Sequence, residues 1–218
     1  MNFVKTLLAA AAVAASCGAN AVVTGALTGG AGSVASLNCN GPCGVAGTGG
    51  SLSGSITGTF TGGAVYAADM SFADDVAPGE NFYAVGPTPG GFGTPNTGTL
   101  SLGAGLSFIS FLWGSPDTFN SLTVNSTGPG PNSQTFTATG TGFPAAFPVS
   151  NGDQSFFQLV SFTAGAGSLI TSLVFTSTSN AFEVGRFSTT PVPEPETYAL
   201  LLAGLGALGF VSRRRRRA

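Results

Sequence analysis

SLITSLVFTS, residues 168–177, is the stretch on which the fold class turns. Its residues are apolar, β-branched or small hydroxyls, which suit a pleated surface. Leu169, Leu173 and Phe175 fall on one side with Thr171 between them, and Ile170 and Val174 fall on the other. That pattern predicts a strand covered on both faces. Gly167 before it and Ser179-Asn180 after it are turn-forming residues that bound the element.

Outward from this strand the same texture repeats. Short runs of Thr, Val, Phe and Leu occupy residues 51–60, 81–86, 98–103, 106–114, 119–125, 133–140, 156–163 and 181–188, divided by Gly, Pro and Asn. No long helical pattern runs through residues 22–188. Many short strands with frequent turn signals predict an all-β chain, a β-sandwich of jelly-roll-like type over residues 51–190. Sixteen phenylalanines between Phe60 and Phe187 supply its core, at roughly 1.5–3 kcal/mol for each one fully buried. Residues 22–50 are Gly-rich and low in complexity, with little regular order expected.

Charge is scarce, at 7% of residues, and sits at the ends. Lys5 lies near the N-terminus and Arg213, Arg214, Arg215, Arg216 and Arg217 near the C-terminus. Arg186 alone faces the interior acids Asp69, Asp74, Asp75, Glu80, Asp117, Asp153 and Glu183. Such a body has no basic surface to displace phosphate counterions, which excludes a nucleic-acid partner.

The ends carry addresses. Lys5 and the apolar run from Leu7 to Ala15, followed by Ala19-Asn20-Ala21, have the form of a signal peptide over residues 1–21. Signal peptidase reads small residues such as Ala19 and Ala21, so cleavage is expected after Ala21. Ala15-Ser16-Cys17 offers lipoprotein processing as the alternative, although Ala14 stands where a bulky aliphatic is preferred.

At the other end, residues 191–218 place Pro193-Glu194-Pro195 before a charge-free run from Ala199 to Val211 and then the five arginines. A helix over residues 197–212 approaches the length that crosses a bilayer when the first arginines snorkel. The arginines orient it with the C-terminus cytoplasmic.

This tail resembles the PEP-CTERM sorting domain, in which a Pro-Glu-Pro motif, a short Leu/Gly/Ala helix and an Arg cluster occur in that order. The resemblance implies an export substrate of exosortase, an integral-membrane cysteine transpeptidase-like enzyme of bacteria that make exopolysaccharide. It implies that the protein is held in the inner membrane, processed, and delivered to the cell surface or matrix. The two prolines keep the motif extended beside the membrane, where a protease can thread it. Gly204, Gly206 and Gly209 weaken the helix, which favours temporary retention over a permanent single-span anchor.

The sharpest internal feature is LWGSPDTFN, residues 112–120. Pro116 at the second position of Ser115-Pro116-Asp117-Thr118 predicts a tight hairpin between the flanking strands. A ligand reading places Trp113, Asp117 and Asn120 on a sugar, the indole stacking and the polar groups bonding hydroxyls. A structural reading is preferred, because Trp113 sits in an apolar strand. The stretch also resembles a subset of exosortase-dependent surface proteins with a WGS-D-x-x-N pattern and a later segment like TSLVFTSTSNAFEV. Relatives commonly follow that segment with an acidic pair; here Gly185-Arg186 stands there, so an ion or ligand role of that pair is not carried over from the resemblance.

Other chemistry is sparse. The chain has no histidine, the usual general base and zinc ligand, and no lysine beyond Lys5. Asp74 and Asp75 are adjacent, so on a strand they point to opposite faces and make no glycosidase pair. Asp69, Asp74, Asp75 and Glu80 are oxygen donors of the kind calcium takes, with a solvated acidic loop the simpler reading. Cys39 and Cys43 in an exported chain point to a disulfide rather than a metal site, which needs further ligands. Asn125-Ser126-Thr127 matches a glycosylation acceptor. The sequence thus predicts no enzyme, no cofactor and no metal. It predicts an exported surface or exopolysaccharide-matrix protein, with a carbohydrate-binding or adhesive module as the alternative.

Overall fold

The computed structural model describes residues 22–27, 33–45, 47–67, 80–87, 96–143, 156–189 and 203–205. The strands are β1 (Thr24–Ala26), β2 (Ser36–Cys39), β3 (Gly50–Ser53), β4 (Gly58–Thr61), β5 (Ala64–Tyr66), β6 (Phe82–Val85) and β7 (Thr97–Leu106). They continue as β8 (Phe108–Gly114), β9 (Asn120–Thr127), β10 (Ser133–Thr137), β11 (Phe157–Thr163), β12 (Leu169–Ser177) and β13 (Phe182–Ser188). They form a six-stranded sheet, β1-β11-β8-β13-β6-β5, and a seven-stranded sheet, β10-β9-β12-β7-β4-β3-β2. All strand pairs within the sheets are antiparallel. From β6 to β9, and again from β10 to β13, successive strands alternate between the sheets, as they do in a jelly roll.

Aromatic rings from the two inner faces interlock between the sheets. Phe60 of β4 lies 4.2 Å from Tyr83 of β6, Phe136 of β10 lies 4.8 Å from Phe162 of β11, and Phe175 of β12 lies 5.3 Å from Phe182 of β13. Offset and edge-on pairs of this kind add to what burial contributes. Gly98 explains itself within the same layer: a Cβ there would overlap the Tyr83 hydroxyl, which donates to the Gly62 carbonyl (3.1 Å).

Four expectations change. First, β12 is not covered on both faces. A register shift between Ile170 and Ser172 turns Ile170 inward beside Leu173 and Phe175, leaves Leu169 44% exposed and keeps Val174 half-buried. One extra residue in a bulged strand reverses the facing of everything before it. Second, residues 51–60 form not one strand but the β3–β4 hairpin, with Gly54 at a positive φ of 103° in the bend. Third, the Gly-rich segment 22–50 contributes β1 and β2, which pair with β11 and β3; strands this short leave little periodicity to read.

The fourth concerns residues 112–120. β8 and β9 belong to different sheets, so the chain between them crosses the sandwich and makes no hairpin. Both edges of β8 are taken by β11 and β13, and both edges of β9 by β10 and β12. Turn chemistry specifies a reversal but not which sheet the next strand joins. The bend also falls later than predicted: Asn120 N–H donates to the Asp117 carbonyl (3.1 Å), and Ser115 adopts a left-handed φ of 43°.

Candidate functional site

The two internal motifs meet at this crossing. Asn120 begins β9 facing inward, and its side chain ties three segments together. Nδ2 donates to the Ala181 carbonyl (3.2 Å) and lies 3.5 Å from the Ser115 carbonyl, while Oδ1 accepts from the Ser177 hydroxyl (2.8 Å). Trp113 stacks on Phe182 with centroids 4.3 Å apart and planes 13° from parallel. Residues 112–120 and 177–184 are therefore one unit, closing the end of the sandwich where β8, β9, β12 and β13 converge.

Trp113, Asp117 and Asn120 are each at most 1% exposed. The structure brings the three proposed ligand residues together and buries all of them, so neither indole face is open to a sugar. Asn120 acts as a buried amide bonded on both its polar atoms, the arrangement in which a polar side chain specifies packing without leaving a desolvated group.

Cys39 and Cys43 are joined as a disulfide with Cα atoms 5.2 Å apart. The loop that continues from the disulfide, through Gly44 and Gly47, runs along the outer edge of β5. Gly44 N–H donates to the Val65 carbonyl (2.7 Å) and Gly47 N–H to the Gly63 carbonyl (2.9 Å). Because β2 borders the seven-stranded sheet and β5 the six-stranded one, the loop covers a strand edge and closes one side seam of the sandwich.

A polar groove of about 400 Å³ lies near this seam, lined by residues 34–38, Glu80, Asn81 and Arg186. Arg186, at a left-handed φ of 54°, pairs with Glu80 at 3.4 Å, both side chains about two-fifths exposed. An exposed pair of this kind contributes about 0–1 kcal/mol. Asn81 caps the edge of β2 by donating to the Leu37 carbonyl (2.8 Å). Of the acidic group considered for calcium, only Glu80 is described; Asp69, Asp74 and Asp75 lie outside the described residues. Among the described residues, no three Cys, Asp or Glu side chains gather as a metal site. Asn125 of the glycosylation triplet is part-buried and donates to the Ser172 hydroxyl (2.9 Å).

The buried phenols have perturbed acidity. Tyr66, stacked on Phe82 at 5.3 Å, has its pKa raised to about 12, first by burial and then by the negative charge of Glu183. Burial also raises that of Tyr83. Both shifts hold the hydroxyl protonated.

The signal-peptide residues Ala19 and Ala21, the motif Pro193-Glu194-Pro195 and the arginines 213–217 lie outside the described residues. Of the helix expected over residues 197–212, Ala203, Gly204 and Leu205 are described, and they are helical and exposed. Among the described residues no helix is long and apolar enough to cross a membrane. Residues 191–217 match the family model of the PEP-CTERM protein-sorting motif. The chain is a PEP-CTERM motif-bearing protein. As such it is exported, targeted to exosortase and held by a C-terminal sorting signal before display at the cell surface. Neither the curated proteins nor the solved structures compared with this PEP-CTERM protein match it.

Sequence reasoning singled out Asn120 but missed its partners. Ser177 and Ala181 lie 57 and 61 residues away along the chain. A usable signal exists: Asn120 occupies an inward position of the alternation that continues through Leu122 and Val124, where a polar residue requires a partner.

Proposed function

We propose that this protein is a non-enzymatic component of the cell surface or the exopolysaccharide matrix, a β-sandwich carried outward by its sorting tail. The observation that carries the reading is the sorting motif at residues 191–217, following a sandwich whose last described strand ends at Ser188. In this reading signal peptidase removes residues 1–21 and a helix over residues 197–212 holds the chain in the inner membrane. Exosortase then processes it there and releases the body.

The non-enzymatic part is supported by side-chain chemistry. Histidine is missing from the sequence, Asp117 and Glu183 are buried, Glu80 is engaged by Arg186, and Cys39 and Cys43 are spent in a disulfide. Replacing Pro193, Glu194 and Pro195 by alanine is expected to trap the protein in the inner-membrane fraction and deplete it from the matrix, read by fractionation and immunoblotting. Recovery from outside the cell of protein that still carries Arg213 to Arg217, seen by mass spectrometry, overturns the processing step. A carbohydrate-binding module is the second reading. The burial of Trp113 moves it away from that residue, and the hydroxyl-lined outer face of the seven-stranded sheet favours it.

A further inference from the structure

We infer that the outer face of the seven-stranded sheet is a docking surface for an uncharged, hydroxyl-rich polysaccharide. The inference rests on the matrix reading for where such a polymer is met, while the surface itself follows from strand register. Asn125 of β9 stands opposite Ser172 of β12, Ser172 opposite Ser101 of β7, and Ser101 opposite Thr59 of β4. Thr59 stands opposite Ser51 of β3, and Ser51 opposite Asn38 of β2. One unbroken row of hydroxyls and amides thus crosses six strands, about 24 Å at the usual strand spacing. The next row, through Thr135, Thr123, Thr99 and Thr61, is broken only by the half-buried Val174. Among the described residues, apolar atoms otherwise reach this face only at its rim, near Leu169 and the bulged end of β7.

Three features select the occupant. The described charged residues are Glu80, Asp117, Glu183 and Arg186, and none stands on this face, so a polyanion or polycation finds no counter-charge there. A second copy or another globular protein finds no apolar centre of the kind that dry interfaces are built on. Hydroxyls both donate and accept, so a polymer of hydroxyls is satisfied by them in many relative positions. The side chains are short and partly ordered already, through Asn125–Ser172 (2.9 Å), Thr123–Thr135 (3.2 Å) and Thr97–Thr176 (3.4 Å). Little rotamer freedom is left to lose on binding.

The test uses exported protein purified from its host, with insoluble cellulose and the host's own exopolysaccharide as neutral and native probes and alginate as the polyanion. Retention on cellulose that survives molar salt, and falls about tenfold in the Thr61→Glu/Ser101→Glu variant, is the expected result, since two charges would be desolvated against a neutral chain. The melting temperature of that variant is measured alongside, so that loss of binding is read on folded protein. Equal retention of the variant overturns the inference, as does binding to alginate alone that salt abolishes. A dimer in sedimentation that the two glutamates convert to monomer assigns the face to a second copy and also overturns it. Protein recovered with the matrix that binds no polysaccharide defeats the inference and leaves the matrix reading standing. Protein that binds cellulose but is absent from the matrix fraction does the reverse.

Discussion

The two sheets bury their side chains differently. β9 of the seven-stranded sheet alternates strictly, with Leu122 and Val124 buried and Ser121 and Thr123 half-exposed. β6 of the six-stranded sheet does not alternate: Phe82, Tyr83, Ala84 and Val85 are all buried. Tyr83 and Val85 face the main core, while Phe82 and Ala84 join Tyr66 and Leu112 in a second apolar cluster on the opposite side of the sheet. One sheet therefore carries packing on two faces, whereas the other carries packing on one and a hydroxyl surface on the other. The lesson is that strand composition reports faces, not strands, and stability should be distributed accordingly.

The largest effect should come from the two-sided sheet. Trp113→Ala removes a fully buried indole and its stacking on Phe182, and should lower stability by about 3–5 kcal/mol, measured by urea unfolding. A cost below 1 kcal/mol would mean that β8 and β13 do not carry the sandwich. Asn120→Ala should cost about 2 kcal/mol by removing the donor to the Ala181 carbonyl and the amide oxygen that shares the Ser177 hydroxyl with the Ser179 carbonyl; unchanged urea midpoints would remove the latch from the account. Gly98→Ala probes the space between the sheets, where the new methyl meets the Tyr83 hydroxyl. It should cost about 1–3 kcal/mol, and an unshifted thermal midpoint would refute the close approach.

Alkaline pH should sharpen the same contrast. The fold holds Tyr66 protonated to about pH 12 and Tyr83 above its ordinary value, while in the unfolded chain both ionise near 10.0. Stability from these phenols is complete below pH 10.0 and is lost as pH rises past it, because the unfolded chain then releases protons that the folded one retains. The urea midpoint should be flat to about pH 9 and fall beyond; tyrosinate absorbance from these two residues before unfolding would contradict it. The smallest effect belongs to the one-sided sheet. Ser101→Ala, on its exposed face, should shift stability by no more than about 0.5 kcal/mol, and a larger loss by calorimetry would show that this face is covered.

Much of the fold was legible. The longer strands announced themselves by β-branched and aromatic runs between glycines, and the phenylalanines marked the core. The Gly-rich segment hid β1 and β2, because strands of three or four residues leave no period to detect. The bulge at Thr171 was hidden for another reason: an inserted residue is visible only against its partner strand. The candidate site was half legible. Trp113, Asp117 and Asn120 stood out by type, yet their burial and their bonds to Ser177 and Ala181 depend on how distant strands meet.

Local sequence by itself determined the all-β class, the positions of most strands and the sorting motif at residues 191–217, because backbone propensity, turn residues and a linear recognition signal are all read from neighbours along the chain. Only the tertiary structure decided that the chain crosses between sheets after β8, that one sheet is packed on both faces, and that Asn120 is a latch instead of a ligand contact. Those outcomes depend on which strand edges pair with which, and edge pairing is a property of residues far apart in sequence.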